Sequence, residues 1–221
     1  MRHAIVVGVG PGIGLATAQR FGREGFTLSV LSRNPQPHAD ALSSEGYEAH
    51  AYPADAGDPT SLKAALESAL EQSGPAEVLL YNAARLQPGG NLALEPQELM
   101  AAFAVNVGGA LLSAQTVLPG MLASHSSGTE QGHGTVLFTG GGLALNPNAR
   151  YGVLALGKAA LRSLALTLAQ ELEPQGVHVA TVTVAAWVQP GSETAHKIAQ
   201  HFWELHGQAR ADWQSEIIFS G

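Results

Sequence analysis

The stretch Ala4-Ile5-Val6-Val7-Gly8-Val9-Gly10-Pro11-Gly12-Ile13-Gly14-Leu15 constrains this chain more than any other. A short apolar run with strand character enters a turn crowded with glycine, and a helical pattern follows. Glycine carries no Cβ, so backbone N–H groups and the positive end of a helix dipole can come close to an anion there. The segment reads as strand, phosphate-binding turn and helix. The remainder of the chain reads as scaffold and pocket for whatever carries that phosphate.

Strand and helix patterns alternate from there on. Strands are expected over 4–7, 27–31, 48–52, 77–81, 135–139, 177–184 and 216–219, and helices over 12–24, 38–45, 58–72, 96–118, 151–173 and 193–206. Asp58-Pro59 places an N-cap acid before a proline at the first helical position. Near-continuous apolar strands such as 77–81 suit the middle of a sheet covered on both faces. The expected fold is therefore α/β: a doubly wound, Rossmann-type parallel sheet of about seven strands, with 1–221 forming a single domain. The polar, glycine-rich segment 124–134 is expected to be a mobile surface loop.

Composition narrows the partners. A formal charge of −7 with no basic stripe argues against nucleic acid. The absence of cysteine excludes disulfides and thiolate metal sites and fits a reducing compartment. Met1-Arg2-His3 runs into the first strand with no cleavage-type segment, so the expected location is the cytoplasm. The apolar run 99–118 carries Asn106, Ser113, Gln115 and Thr116 inside an α/β alternation, which reads as a buried helix rather than a membrane span. His196, His201 and His206 lie five apart, off any common helical face, so no metal site is expected. The helices over 100–118 and 154–172 are apolar nearly all round, and a second copy of the chain is the expected cover, as a homodimer or homotetramer.

Spacing decides which nucleotide the turn suits. The dinucleotide pattern GxGxxG fails, because Ile13 or Leu15 falls at its last position. GxGxG is present, but the acids that S-adenosylmethionine sites place beside the turn and after the second strand are absent, with Val7 and Ser32-Arg33 there instead. The third spacing, GxxxGxG at Gly8, Gly12 and Gly14, resembles that of the short-chain dehydrogenases/reductases. Three further motifs follow in that family's order: Asn82-Ala83-Ala84 is similar to its NNAG, Val105-Asn106-Val107 to its helix asparagine, and Gly157-Lys158-Ala159-Ala160-Leu161 to the end of its YxxxK segment. The resemblance covers essentially the whole chain.

It implies a nicotinamide dinucleotide held by Gly8, Gly10, Gly12, Ile13 and Gly14, with Asp55-Ala56 near the adenine, Asn82, Ala83 and Ala84 along the cleft, and Lys158 and Val188 toward the nicotinamide. An acid after the second strand would bind the ribose hydroxyl of NAD, whereas Arg33, flanked by Ser32 and Asn34, suits the 2′-phosphate of NADP. It also implies hydride transfer to or from a small carbonyl or alcohol, with a lysine-tuned tyrosine moving the proton, a serine polarising the carbonyl and the helix asparagine in support.

Four residues before Lys158, where the tyrosine belongs, stands Leu154. The serine position falls in Thr139-Gly140-Gly141-Gly142, and only Gln189-Pro190-Gly191-Ser192 precedes the last helix as a substrate cap. If Tyr151 and Lys158 are both helical, their seven-residue spacing puts them on one face, and Tyr151 also follows Thr139 by twelve residues. Two readings stay open: an oxidoreductase using Asn106, Lys158, Thr139 and a displaced Tyr151, and a non-catalytic NADP(H)-binding sensor or interaction protein.

Overall fold

The apolar runs become the strands of one sheet. In a computed structural model describing residues 2–126 and 134–221, these are β1 (His3–Val7), β2 (Thr27–Ser32), β3 (Ala49–Pro53), β4 (Val78–Tyr81), β5 (Gly134–Gly141), β6 (Val177–Val184) and β7 (Glu216–Phe219). Their order is β3-β2-β1-β4-β5-β6-β7 and every pairing is parallel. The helices are α1 (Ile13–Gly22), α2 (Gln36–Ser44), α3 (Pro59–Ser73), α4 (Pro96–Phe103), α5 (Gly109–Ser126), α6 (Gly152–Leu172) and α7 (Glu193–His206). Most of the expected 124–134 loop, residues 127–133, lies outside the described residues.

Side-chain alternation splits each strand between two cores. Ile5, Val7, Leu79, Tyr81, Val136 and Phe138 face the layer of α3, α5 and α6, while Ala4, Val6, Val78, Leu80 and Leu137 face α1 and α7. Strand order reverses between β1 and β4, and the crevice beyond the carboxyl ends of these two strands is where an open α/β sheet binds its ligand. Asp58 caps α3 as expected, its carboxylate accepting from the Thr60 and Ser61 amides at 2.9 and 3.3 Å.

Three expected elements differ, each through a tertiary contact. The helix expected over 96–118 is broken by a π-helical turn at Ala104–Gly108, and α5 continues through Pro119 to Ser126. At the break the Gly109 amide bonds Ala104 O, five residues back, and the buried Tyr81 hydroxyl donates to Val105 O. The strand expected over 135–139 runs on through Gly140 and Gly141, because β6 pairs with it to the end at Gly141↔Val184. The helix expected from 151 begins at Gly152, with Tyr151 as its N-cap residue at φ −132°, ψ 40°.

The segments Pro96–Ser124 and Gly152–Gln175 are long and apolar enough to cross a membrane by length and composition alone, with mean hydropathies of 1.5 and 1.4. Here each lays one stripe on the sheet, through Val117 and Met121 or through Leu161, Ala165 and Ala169. The other stripe stays uncovered, with Leu111 36% and Leu156 42% exposed.

Candidate functional site

The glycine turn closes through contacts that only glycine permits. Gly8 has φ +85°, and a Cβ there would overlap the Ala83 backbone. At Gly14 a Cβ would stand 2.9 Å from Gly8 O, and Asn82 Nδ2 donates to that same oxygen at 2.8 Å, tying the turn to the end of β4. At Gly10 and Gly12, by contrast, no atom lies within 4 Å of a Cβ position, so these residues border open space. Among the described residues no side chain caps α1 at Gly12; the Leu15 amide donates to Gly10 O at 3.1 Å, which leaves the Ile13 and Gly14 amides to face an anion.

Beside the turn is a cleft of about 670 Å³, within the range of small-molecule sites. Of the expected cofactor residues, Gly8, Ser32, Arg33, Asp55, Ala56, Asn82, Ala83 and Ala84 line it. Gly10, Gly12, Ile13 and Gly14 belong to the turn and to the start of α1. Asn34 is exposed beyond Arg33 without lining the cleft, and Val188 packs on Ala16, Ala195 and Ala199 between α1 and α7. Asp55 Oδ1 accepts the Gly57 amide at 2.8 Å. A glycine cradle, an uncapped helix start and a cleft across the β1/β4 switch point together fit a dinucleotide.

The second half of the site is assembled around α6. Lys158 is buried, and its Nζ donates to Thr139 O at 2.6 Å. Burial lowers its pKa to about 8. Among the described residues it has no carboxylate partner: one turn along α6, the Glu216 carboxylate is held by Arg162 at 2.8 and 2.6 Å and by Thr183 at 2.6 Å. Asn106, presented by the π-turn, is also buried. Its Oδ1 accepts the Arg85 amide at 2.7 Å, whereas its Nδ2 has no partner among the described residues. A buried donor left unpaired costs about 1–3 kcal/mol, which a ligand oxygen would recover. Asn106 lies against Gly157, where a Cβ would come within 2.6 Å of its Nδ2. Asn106 thus packs on α6 at the residue next to Lys158.

The other two expected catalytic residues sit differently. Thr139 meets Lys158 through its backbone oxygen. Strand alternation turns its side chain to the face of Leu137, and the hydroxyl is buried there with no partner among the described residues. Tyr151 is outside the helix, so the shared-face geometry expected for Tyr151 and Lys158 lacks one of its two helical ends. Its backbone pairs with the loop after β4, through Gly89↔Tyr151 and Gly152 N to Gly89 O at 3.3 Å. Leu154 is half-buried on the first turn of α6. A Cβ at Gly141 would lie 3.1 Å from Lys158 Cγ, so the glycine run leaves space for the lysine stem.

A sequence model of the short chain dehydrogenase family matches residues 2–199. The chain belongs to that family. It is 29% identical to the 3-dehydrosphinganine reductase TSC10B of Arabidopsis thaliana, an alignment covering 100% of this chain and 66% of the relative. It is 31% identical to the short-chain reductase protein NovJ of Streptomyces niveus, over 80% of this chain and 65% of the relative. This short-chain dehydrogenase thus spans about two thirds of the length of these curated relatives. Among solved structures, a metagenomic short-chain oxidoreductase in complex with NADP superposes with a TM-score of 0.86 at 25% identity, covering 99% of this chain and 96% of the other.

Sequence reasoning passed over three residues of this short-chain dehydrogenase. Tyr81, directly before Asn82, holds the π-turn that carries Asn106. Gly157, beside the lysine, is where that asparagine packs. Arg85 lines the cleft directly after the motif. The visible signal for Tyr81 was a phenol standing in for an amide at the end of an otherwise apolar strand.

Proposed function

We propose that this protein is an NADP(H)-dependent oxidoreductase acting on a small carbonyl or alcohol substrate. The observation that carries the reading is a pair of buried donors without a carboxylate partner among the described residues, Lys158 Nζ on α6 and Asn106 Nδ2, with Asn106 packed on Gly157 and following Val105, which lines the cleft. Relatives named as reductases and a structural neighbour bound to NADP support it. Gly8 to Gly14 and the α1 terminus would hold the pyrophosphate, Asp55 and Ala56 the adenine end, and Ser32 and Arg33 the 2′-phosphate. When bound, the nicotinamide supplies hydride chemistry.

The chain's own residues then hold the substrate oxygen and its proton. A lysine ammonium has three donors, and Thr139 O takes one, leaving two for a ribose hydroxyl and for a substrate or water oxygen. Asn106 Nδ2, packed on Gly157, offers a further buried donor. We assign the proton exchange to Tyr151, the N-cap residue of α6. Leu154 favours a second reading, a non-catalytic NADP(H)-binding protein. The uncovered stripes of α5 and α6 suit a second copy of the chain, as homodimer or homotetramer, and the cysteine-free composition suits the cytoplasm. A carbonyl panel mixed with protein and NADPH separates the readings: an oxidoreductase consumes the cofactor, and a binding protein only changes its fluorescence.

A further inference from the structure

We infer that the Thr139 hydroxyl binds the carboxamide of the nicotinamide ring, so that this residue serves the cofactor rather than the substrate carbonyl. The inference rests on the NADP(H) reading above and adds to it a side chain that recognises the ring itself.

The starting observation is a buried hydroxyl. Thr139 is 6% exposed, and its Oγ1 has no hydrogen bond among the described residues. Every other buried serine or threonine among them has one. The contrast is local. On the same strand Thr135 is bonded to His206 at 2.9 Å, and on β6 Thr181 donates to Phe138 O at 3.0 Å and Thr183 to Glu216 at 2.6 Å. Packing alone would favour valine at position 139, because an unpaired buried hydroxyl lowers stability.

Register places that hydroxyl at the cleft. Tyr81, the last residue of β4, lies opposite Phe138, so Thr139 is the first residue of β5 past the end of its neighbour. The chain leaves β4 through Asn82, which lines the cleft and donates from Nδ2 to Gly8 O at 2.8 Å. Alternation puts the Thr139 and Asn82 side chains on one face of the sheet, the face on which the glycine turn and the start of α1 pack. The backbone oxygen of Thr139 takes the Lys158 ammonium at 2.6 Å. Thr139 is thus beside the residue that ties the phosphate turn, and bonded to the lysine of the nicotinamide end.

Chemistry selects the ligand group. The turn amides serve the pyrophosphate and Lys158 the adjoining ribose, which leaves the nicotinamide as the part of the dinucleotide at Thr139. The carboxamide is the ring's hydrogen-bonding substituent. It both donates and accepts, as a threonine hydroxyl does, so Oγ1 can pair with either of its polar atoms. A bond there holds the ring in one rotation about its ribose, with one face toward the substrate.

Thr139→Val nearly keeps the side chain's shape and removes the hydroxyl. Calorimetric titration with NADPH and with adenosine 2′,5′-bisphosphate, which lacks the nicotinamide, reads the effect. The variant should bind NADPH about 10-fold more weakly, as for one lost hydrogen bond, and the bisphosphate within about 2-fold of wild type. Its urea midpoint without ligand should rise, since the unpaired hydroxyl is gone. Thr139→Ser, which restores the hydroxyl, should bind NADPH within about 3-fold of wild type. Unaltered NADPH affinity in Thr139→Val overturns the inference. So does equal weakening of both probes, which marks a disturbed cleft, or a lowered urea midpoint, which marks a structural hydroxyl. A wild type that does not bind NADPH overturns the NADP(H) reading itself.

Discussion

The two halves of the cleft are built on different principles. At the β1–β2–β4 end, recognition rests on backbone shape: a positive φ at Gly8, close approach at Gly14, open space at Gly10 and Gly12, and an uncapped helix. Side chains add charge at its rim through Arg33 and Arg85. At the α6 end the proposed site rests on two buried side chains, Lys158 and Asn106, and Leu154 stands where the family's tyrosine belongs. A backbone-built site tolerates drift in its side chains. A side-chain-built site changes its chemistry with one substitution. This short-chain dehydrogenase keeps the first nearly whole and alters the second.

The division breaks if one substitution disables both halves equally. Lys158→Met should reduce NADPH oxidation about 10²–10⁴-fold, the usual worth of a positioned proton-transfer group, while NADPH affinity falls by less than about 10-fold. Steady-state rates set against fluorescence titration check this. The same lysine should mark the ligand-free protein's stability. Its pKa falls from 10.5 in the unfolded chain to about 8 in the fold, so between these values the unfolded state binds more protons. Its contribution therefore rises with pH, by about 3 kcal/mol across that window, and is at its least favourable below pH 8. Urea denaturation of wild type and Lys158→Met should show the difference in pH slope.

Tyr151→Phe sharpens the catalytic half. A phenol carrying the proton predicts a loss of about 10²-fold in kcat with NADPH affinity unchanged. An undiminished rate would remove Tyr151 from the mechanism. On the adenosine side, Arg33→Ala should weaken NADPH about 10-fold or more, the worth of a charged hydrogen bond, and leave NADH unaffected. Asp58→Ala, remote from both halves, should lower stability by about 1 kcal/mol in chemical denaturation and alter neither binding nor rate.

Local signals were legible in the sequence and long-range ones were not. β6, β7 and α7 match the expected 177–184, 216–219 and 193–206, because their patterns are local runs of sequence. The glycine spacing and Asn82 revealed the cradle for the same reason. The π-turn was hidden, since the hydroxyl holding it belongs to Tyr81, far away in sequence. The face taken by Thr139 was also hidden, because it follows from register with β6 and continuation through two glycines. The same holds for the Asn106 contact with Gly157, which needs α6 beside the π-turn.

The most direct test mixes the purified protein with NADPH and a panel of aldehydes and ketones, following cofactor oxidation and cofactor fluorescence in the same samples. A protein with both halves working binds NADPH and oxidises it with at least one carbonyl, and Lys158→Met keeps the binding and loses the oxidation. NADPH held tightly by the wild type and consumed with no member of the panel would contradict the account, and leave this short-chain dehydrogenase fold as a binding protein.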